Sequence, residues 1–179
     1  FLPLCHVYER MLNYLFQYFG MSIYYAESLD KVGDNIREVK PQAFAAVPRV
    51  MEKIYNKIVA KGRILKGPLR ILFFWALRQG HKYEFDHANG WFYDIKLFIA
   101  NTLVFRSWRK ALGGKVKVIV SGGASLHPRL SRLFWAARLP VIEGYGLTET
   151  SPVIAVGNLK HGGVKFGAVG KILPGVEVK

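Results

Sequence analysis

Residues 115–151, KVKVIVSGGASLHPRLSRLFWAARLPVIEGYGLTETS, decide the fold class. An apolar strand over 115–121 precedes a glycine pair, a helix over 128–137 and a strand over 140–143 that runs into a turn at 144–146. Short continuous apolar strands that alternate with helices are typical of a parallel sheet with helices on both faces. The stretch therefore predicts an α/β fold.

The first sixty residues repeat this alternation. Helical spacing of apolar residues predicts a helix over 6–19 that is capped by Gly20, and an amphipathic helix that Pro41 stops. Pro48 opens another helix. The expected order is helix 6–19, strand 22–26, helix 30–40, strand 43–47 and helix 48–59. The same parallel α/β arrangement is predicted for both halves of the chain.

Two segments depart from this pattern. Residues 62–113 are rich in Arg, Lys, Trp and Phe, and they predict a basic, aromatic helical insert of two or three helices broken near Gly80 and Gly90. Residues 151–179 combine glycines with short Val-rich runs, which predict a β-rich edge where a further subdomain starts. We expect residues 1–179 to be part of one domain, a parallel sheet flanked by helices with this insert and a C-terminal β-rich edge.

The charge is strongly positive and unevenly distributed. There are 26 Lys and Arg against 12 Asp and Glu, a net charge of +14. Residues 51–120 carry most of that excess. A cationic segment is compatible with nucleic acid, an anionic lipid surface or an anionic cofactor such as a nucleotide or coenzyme A, and composition does not choose among them.

Several classes are excluded by the sequence. With 51% hydrophobic residues, extended disorder is not expected. Cys5 is the only cysteine, which excludes an internal disulfide and favours a reducing compartment. No apolar stretch reaches the ~18 residues of a membrane span, and the histidines form no HExxH pair. The chain begins at Phe1 rather than Met, so we expect it to be an internal part of a longer protein.

The glycine pair after the first strand of the opening stretch is a candidate ligand site. Ser121, Gly122 and Gly123 leave room for backbone N–H groups and a planar ligand at the carboxyl edge of a sheet. A tight connection between strand and helix is the simpler interpretation. Neither GxxxxGK[ST] nor GxGxxG occurs in the chain.

The following strand leads into a denser set of functional side chains. Tyr145 has a face that can stack on a base, Thr148 has a hydroxyl that can donate to a phosphate oxygen, and Glu149 has a carboxylate of the kind that holds Mg²⁺. Packing alone does not account for this mixture. A polar loop with a helix cap remains the alternative.

Three motifs in the same order carry a resemblance. GYGLTETSP at 144–152, VSGGASL at 120–126 and LPLCHVYER at 2–10 resemble the adenylate-forming superfamily, and most of all its long-chain fatty acyl-CoA ligases. GAVGKILPGVEVK at 167–179 and KPQAFAAVPRVMEKIYNKI at 40–58 are similar to the same branch. The resemblance covers essentially the whole chain and identifies it as part of an AMP-binding domain, the second α/β subdomain of the large acyl-adenylating domain.

The resemblance implies an activity and a set of site residues. ATP and a fatty acid would give an acyl-adenylate and pyrophosphate, and coenzyme A would then displace AMP. Thr148 would contact the α-phosphate, Glu149 would ligate Mg²⁺, and Tyr145 would stack on adenine. The adenine pocket would be lined by Gly123, Ala124, Glu143 and Gly144. Gly146 would border the acyl channel, and His6 would lie beside the reacting carboxylate.

The resemblance also sets expectations about what lies elsewhere. The family's phosphate loop, its TGD motif and its C-terminal lysine are not in these residues, so we expect the isolated chain to be inactive and to self-associate. Cys5 stands where the family usually has Ser. The expected location is the cytoplasm, with peripheral contact to the inner face of the membrane left open.

A basic binding module for a membrane surface or nucleic acid is the competing interpretation. A nucleic-acid partner is not expected, because RNP-type, zinc and helix-turn-helix signatures are missing from the sequence. A membrane contact is compatible with the ligase interpretation, since residues 62–113 mix large apolar side chains with Arg and Lys, as interfacial helices do.

Overall fold

The computed structural model describes residues 2–28, 30–160 and 162–178, so the two chain ends discussed above, Phe1 and Lys179, lie outside it. The described residues form one mixed five-stranded sheet with the strand order β1-β2-β3-β4-β5. Its strands are β1 (Ala43–Ala46), β2 (Val118–Ser121), β3 (Val141–Gly146), β4 (Val153–Val156) and β5 (Lys171–Ile172).

Helices connect and cover these strands. They are α1 (Val7–Tyr18), α2 (Val32–Val39), α3 (Pro48–Ile64), α4 (Gly67–His81), α5 (Trp91–Ala100), α6 (Arg106–Ala111) and α7 (Pro128–Ala136). A π-helical turn, Asn101–Phe105, joins α5 to α6 without a break, and a 3₁₀ turn, Thr148–Thr150, follows β3. The α/β class predicted from the sequence is confirmed.

The first three strands are parallel. Ala46 of β1 is in register with Ser121 of β2, and Ser121 is in register with Glu143 of β3. The carboxyl ends of these strands therefore lie at one edge of the sheet. Strand β4 pairs antiparallel with β3, and β5 pairs antiparallel with β4. The antiparallel part of the sheet is therefore its β-rich C-terminal edge.

One predicted strand is wrong. Residues 22–26 have no regular secondary structure and belong to no strand of the described chain. Tyr24 and Tyr25 are 68% and 62% exposed, so neither face of the segment gains the burial that stabilises a strand. The Tyr25 hydroxyl instead donates to Asn13 Oδ1 of α1 at 2.7 Å.

Two predicted boundaries also change. The predicted turn at 144–146 is part of β3, because Gly144 and Tyr145 pair with Val156 and Ala155 of β4. Helix α3 extends to Ile64 rather than stopping at Val59, since its C-terminal turn packs on α4. The predicted cap at Gly20 is confirmed by its φ of 63°.

A close contact between α4 and α7 explains why Gly80 lies within a helix. A Cβ at this position would collide with Leu133 of α7 and would lie 3.1 Å from the Phe105 ring. Leu133 and Phe105 are completely buried. The glycine therefore allows α4 to approach the core that supports β2 and β3, and the chain leaves the helix after His81.

Candidate active site

At the carboxyl edge of the parallel strands, the start of α1 meets β2 and the loop that follows it. The Tyr8 hydroxyl donates to the Val120 carbonyl of β2 at 3.0 Å, and a Cβ added to Gly122 would lie 3.0 Å from the Tyr8 ring. The Gly122 N–H donates to the Ala46 carbonyl of β1 at 3.2 Å. Burial raises the pKa of Tyr8, which keeps its hydroxyl protonated as a donor. These contacts bring the start of α1 to the glycine pair.

His6 occupies the residue before α1. Its side chain is exposed and makes no capping hydrogen bond, while its backbone carbonyl accepts from the Arg10 N–H at 3.2 Å. The imidazole is therefore not used by the helix start. His6 is the N-cap residue of α1, and Tyr8, two residues later in that helix, packs against Gly122.

The loop after β2 is open to solvent. Gly123 has a φ of 81°, a left-handed conformation that favours glycine, and only Val47 Cγ1, at 3.8 Å, would lie near an added Cβ. Ala124 and Ser125 are exposed. The loop thus offers a flat surface that a planar ligand can approach closely.

Glu143 connects β3 to this loop. Its side chain is 7% exposed and accepts a hydrogen bond from the Leu126 backbone N–H at 3.1 Å. Burial raises the pKa of Glu143, and this hydrogen bond opposes the rise. The carboxyl group therefore fixes the position of the loop after β2 from the neighbouring strand.

The end of β3 is distorted where it meets β4. The register shifts between Tyr145 and Gly146, and a Cβ at Gly146 would overlap the Pro152 carbonyl. Such a shift redirects the side chains that follow it. Tyr145 is 47% exposed, so its side chain is accessible to a ligand.

In the Thr148–Thr150 turn, one hydroxyl group stabilises the turn, and the other two side chains are free to bind a ligand. The Thr150 hydroxyl donates to the Pro152 carbonyl at 2.6 Å and accepts from the Leu147 N–H at 3.0 Å. Thr148 and Glu149 are exposed, and within the described residues their side chains have no hydrogen-bond or ion-pair partner. The turn is held by Thr150 and leaves Thr148 and Glu149 free for a ligand.

Glu149 is compatible with Mg²⁺ as one carboxylate ligand. Across 2–28, 30–160 and 162–178, no three His, Cys, Asp or Glu side chains cluster as a metal site. Mg²⁺ at nucleotide sites is commonly held by one or two carboxylates together with substrate phosphates. Glu149 fits that donor set because its carboxylate is exposed and unpaired.

The predicted residues fall into three groups. Gly123 and Ala124 follow β2, while Glu143, Gly144, Tyr145 and Gly146 belong to the adjacent β3, so strand pairing brings these six together. Thr148 and Glu149 lie in the turn directly after β3. His6 is the N-cap residue of α1, and it is Tyr8 of that helix that contacts β2 and Gly122.

Sequence reasoning did not predict the contacts of three residues at this edge. Tyr8 and Leu126 position the loop through the hydrogen bonds described above. Ser121 is 1% exposed, and its Oγ has no hydrogen-bond partner among the described residues. Tyr8, Ser121 and Leu126 stood within quoted motifs, but only the packing shows which hydrogen bonds they make or lack.

Comparison with known proteins gives the following similarities. The AMP-binding enzyme family matches residues 1–179. A long-chain-fatty-acid–CoA ligase of Mycobacterium bovis is 33% identical over 187 residues, a match that covers 100% of this chain and 30% of the relative. Long chain acyl-CoA synthetase 1 of Arabidopsis thaliana is 37% identical over 160 residues, covering 88% of this chain and 24% of the relative.

A solved structure is also similar. It is an anthranilate CoA ligase in complex with anthranoyl-AMP, at 16% identity and a TM-score of 0.49, covering 87% of this chain and 22% of that one. The chain spans less than a third of the length of the curated relatives described above.

Proposed function

Because the chain belongs to the AMP-binding enzyme family, we propose that the protein containing it activates long-chain fatty acids. In the first step a fatty-acid carboxylate oxygen attacks the α-phosphorus of ATP, and pyrophosphate leaves. In the second step the thiol of coenzyme A attacks the acyl carbonyl, and AMP leaves. The products are acyl-CoA, AMP and pyrophosphate.

One observation carries this proposal. Thr148 and Glu149 present a free hydroxyl and a free carboxylate on a turn held by Thr150, beside two glycine-containing strand ends. Aligned polar groups that are already positioned before the ligand binds stabilise charge without reorganisation. A nucleotide with a charged phosphate chain is the ligand class that uses a stacking ring, a hydroxyl donor and a carboxylate together.

The residues of this edge have separate roles in the proposal. Tyr145 stacks on adenine, and the backbone of Gly123, Ala124, Glu143 and Gly144 lines the adenine pocket. The Thr148 hydroxyl donates to an α-phosphate oxygen, which orients the phosphorus for attack. Glu149 would hold Mg²⁺, and that ion would supply neutralising charge at the phosphates.

Two further positions concern the fatty acid. His6, whose imidazole has no capping role, lies beside the reacting carboxylate and orients it. Gly146 borders the acyl channel. Coenzyme A enters as the second substrate.

We also propose the domain assignment. Residues 1–179 form part of one AMP-binding domain, with 62–113 as an insert and 151–179 as the start of a β-rich subdomain. The described edge contacts one side of a nucleotide, so the isolated chain is proposed to be inactive and to self-associate through surfaces that the rest of the parent protein covers.

A peripheral membrane contact is the second proposed property, and α5 carries it. Trp91, Phe92 and Phe98 are 64%, 64% and 63% exposed along this helix, and Leu103 continues the apolar surface at 59%. Lys96 and Arg106 are exposed beside them. Large apolar side chains next to cations are typical of helices that lie in an anionic membrane interface.

Among the described residues, no helix is both long and apolar enough to cross a membrane. We propose a cytoplasmic location with contact to the inner face of the membrane. Nucleic acid is not a proposed partner, since the basic residues of the insert alternate with exposed aliphatic and aromatic ones.

The function is tested by following products. Parent protein incubated with ATP, palmitate and coenzyme A is expected to form palmitoyl-CoA and AMP, and without coenzyme A to form palmitoyl-adenylate, detected by mass spectrometry. The isolated chain is expected to form neither. Formation of ADP instead of AMP by the parent protein would contradict the proposal.

A further inference from the structure

An open, cationic cavity of about 620 Å³ lies between α3, α4 and the first turn of α7, and it shares no lining residue with the candidate active site. Arg63, Arg70, Arg78 and Arg129 line it together with His81. The other residues that line it are apolar or aromatic: Tyr55, Val59, Ile71, Phe74 and Leu77. No carboxylate lines it.

Helical spacing on two neighbouring helices builds this cavity. On α3, Tyr55, Val59 and Arg63 recur every four residues and share one face. On α4, Arg70, Phe74 and Arg78 do the same. Because α3 and α4 follow each other through a short connection and pack together, the two stripes line one groove.

The first turn of α7 closes one end. His81 Nδ1 lies 3.3 Å from the Arg129 carbonyl, a contact that brings α7 onto the end of α4. Burial lowers the pKa of His81; the hydrogen bond with the Arg129 carbonyl opposes this, and the positive charge of Arg129 adds a smaller lowering. The four arginines of the cavity are exposed, and no acidic side chain is among its lining residues.

The arginines of the cavity differ from Arg109 and Arg132, whose guanidinium groups have partners within the fold. Arg132 pairs with Glu84 at 2.7 Å, and Arg109 donates to Asn101 Oδ1 at 2.8 Å. None of the four cavity arginines has an ion-pair or hydrogen-bond partner for its guanidinium in the part of the chain that is described. Glu52 is the only acidic residue between Pro48 and Lys82.

We infer that this cavity binds a phosphate monoester, either as the headgroup of a lipid or as a small soluble molecule. Guanidinium groups donate in pairs to phosphate oxygens, and several unpaired guanidinium groups around one cavity match a doubly charged phosphate. The apolar walls formed by Val59, Ile71 and Phe74 suit the hydrocarbon next to such a headgroup. The site is independent of the adenylation proposed above.

The two sources of phosphate are distinguished by parallel binding measurements on the parent protein. One arm titrates glycerol 3-phosphate by calorimetry. The other measures flotation with phosphatidylcholine vesicles that contain phosphatidic acid or, at equal surface charge, phosphatidylserine. Binding of both probes identifies the phosphate monoester itself as the ligand, and binding of phosphatidic acid vesicles alone identifies the lipid headgroup in its bilayer.

Matched variants test the cavity. Arg70→Gln/Arg78→Gln is expected to weaken binding of phosphatidic acid vesicles by at least about tenfold, because each lost arginine removes charge-assisted hydrogen bonds. Lys110→Gln/Lys115→Gln removes the same charge from exposed residues outside the cavity and is expected to have little effect. Thermal unfolding of each variant checks its fold.

Two results would overturn the inference. One is equal flotation with phosphatidic acid and phosphatidylserine vesicles of the same surface charge. The other is equal weakening by the two double variants. Either would show that the arginines act as general surface charge rather than as a phosphate site.

Discussion

The Glu143 carboxyl group of β3 accepts a hydrogen bond from the Leu126 backbone N–H at 3.1 Å, across the edge where the loop after β2 passes. Both residues are buried, with Leu126 fully enclosed. This contact places Gly123 and Ala124 relative to Tyr145. Glu143 is therefore a positioning residue for the candidate site.

The raised pKa of Glu143 has a consequence for stability. Between the ordinary pKa of the carboxyl group and its raised value in the folded state, the folded protein retains a proton that the unfolded chain has lost. Stability contributed by this group therefore falls as pH rises through that window.

Glu143→Gln keeps an oxygen acceptor for the Leu126 N–H and removes the charge. We expect this variant to resist urea better than wild type at pH 7 and to lose that part of the pH dependence.

Glu143→Ala serves as the comparison. It leaves the buried Leu126 N–H without its acceptor, which costs about 1–3 kcal/mol in urea unfolding. If Glu143→Gln were destabilised as much as Glu143→Ala at pH 7, the charge rather than the acceptor would be what holds the loop.

The two threonines of the 3₁₀ turn should respond differently to loss of the hydroxyl. Thr150→Val removes hydrogen bonds to Leu147 and Pro152, so we expect a loss of about 1 kcal/mol in unfolding free energy. Thr148→Val removes a hydroxyl with no described partner, so stability should change little while adenylate formation by the parent protein falls. A Thr148→Val enzyme with wild-type adenylate formation would remove Thr148 from the proposed site.

Gly146 is predicted to be intolerant of any side chain. Its Cβ would overlap the Pro152 carbonyl, so Gly146→Ala must separate β3 from β4 and should destabilise the protein by about 1–3 kcal/mol. Gly33→Ala is the control: it lies within α2 with open space around it, and should stabilise by up to about 1 kcal/mol. Differential scanning calorimetry measures both. Equal melting temperatures for the two variants would contradict the close approach at Gly146.

The exposed face of α5 should govern membrane contact. In the parent protein, Trp91→Ser/Phe98→Ser is expected to reduce flotation with vesicles of phosphatidylcholine and phosphatidylserine several-fold, because two large apolar side chains no longer enter the interface. Tyr18→Ser/Phe19→Ser removes similarly exposed aromatic rings from the end of α1 and is the control. Flotation that is indifferent to salt and equal on neutral vesicles would reject the electrostatic part of the proposal.

Sequence patterns predicted those helices and strands that are marked by apolar runs with clear start and stop residues. β2 and α7 were found because an apolar run, a glycine pair and a proline at the helix start mark their limits. Residues 22–26 have equally β-prone side chains, but Tyr24 and Tyr25 are exposed, and no strand among the described residues pairs with this segment. Propensity describes the segment itself, whereas a strand also requires a neighbour.

The sequence predicted which residues belong to the candidate site better than it predicted the contacts that these residues make. Gly123, Tyr145, Thr148 and Glu149 stand in recognisable motifs, and the parallel register places their segments on adjacent strands. The role of Glu143 depends on where a backbone N–H seventeen positions earlier in the chain lies. The cationic cavity was not predicted, since Arg63, Arg70 and Arg129 come together only when three helices pack.

Fatty-acid-dependent exchange of labelled pyrophosphate into ATP tests the central claim that the turn after β3 is part of an adenylating site. Glu149→Gln in the parent protein is expected to reduce exchange by about a hundredfold or more, the effect of losing one preorganised electrostatic group, about 3 kcal/mol. Glu177→Gln, at an exposed carboxylate outside the site, should leave exchange unchanged. Exchange that is equal in Glu149→Gln and wild type would contradict the claim.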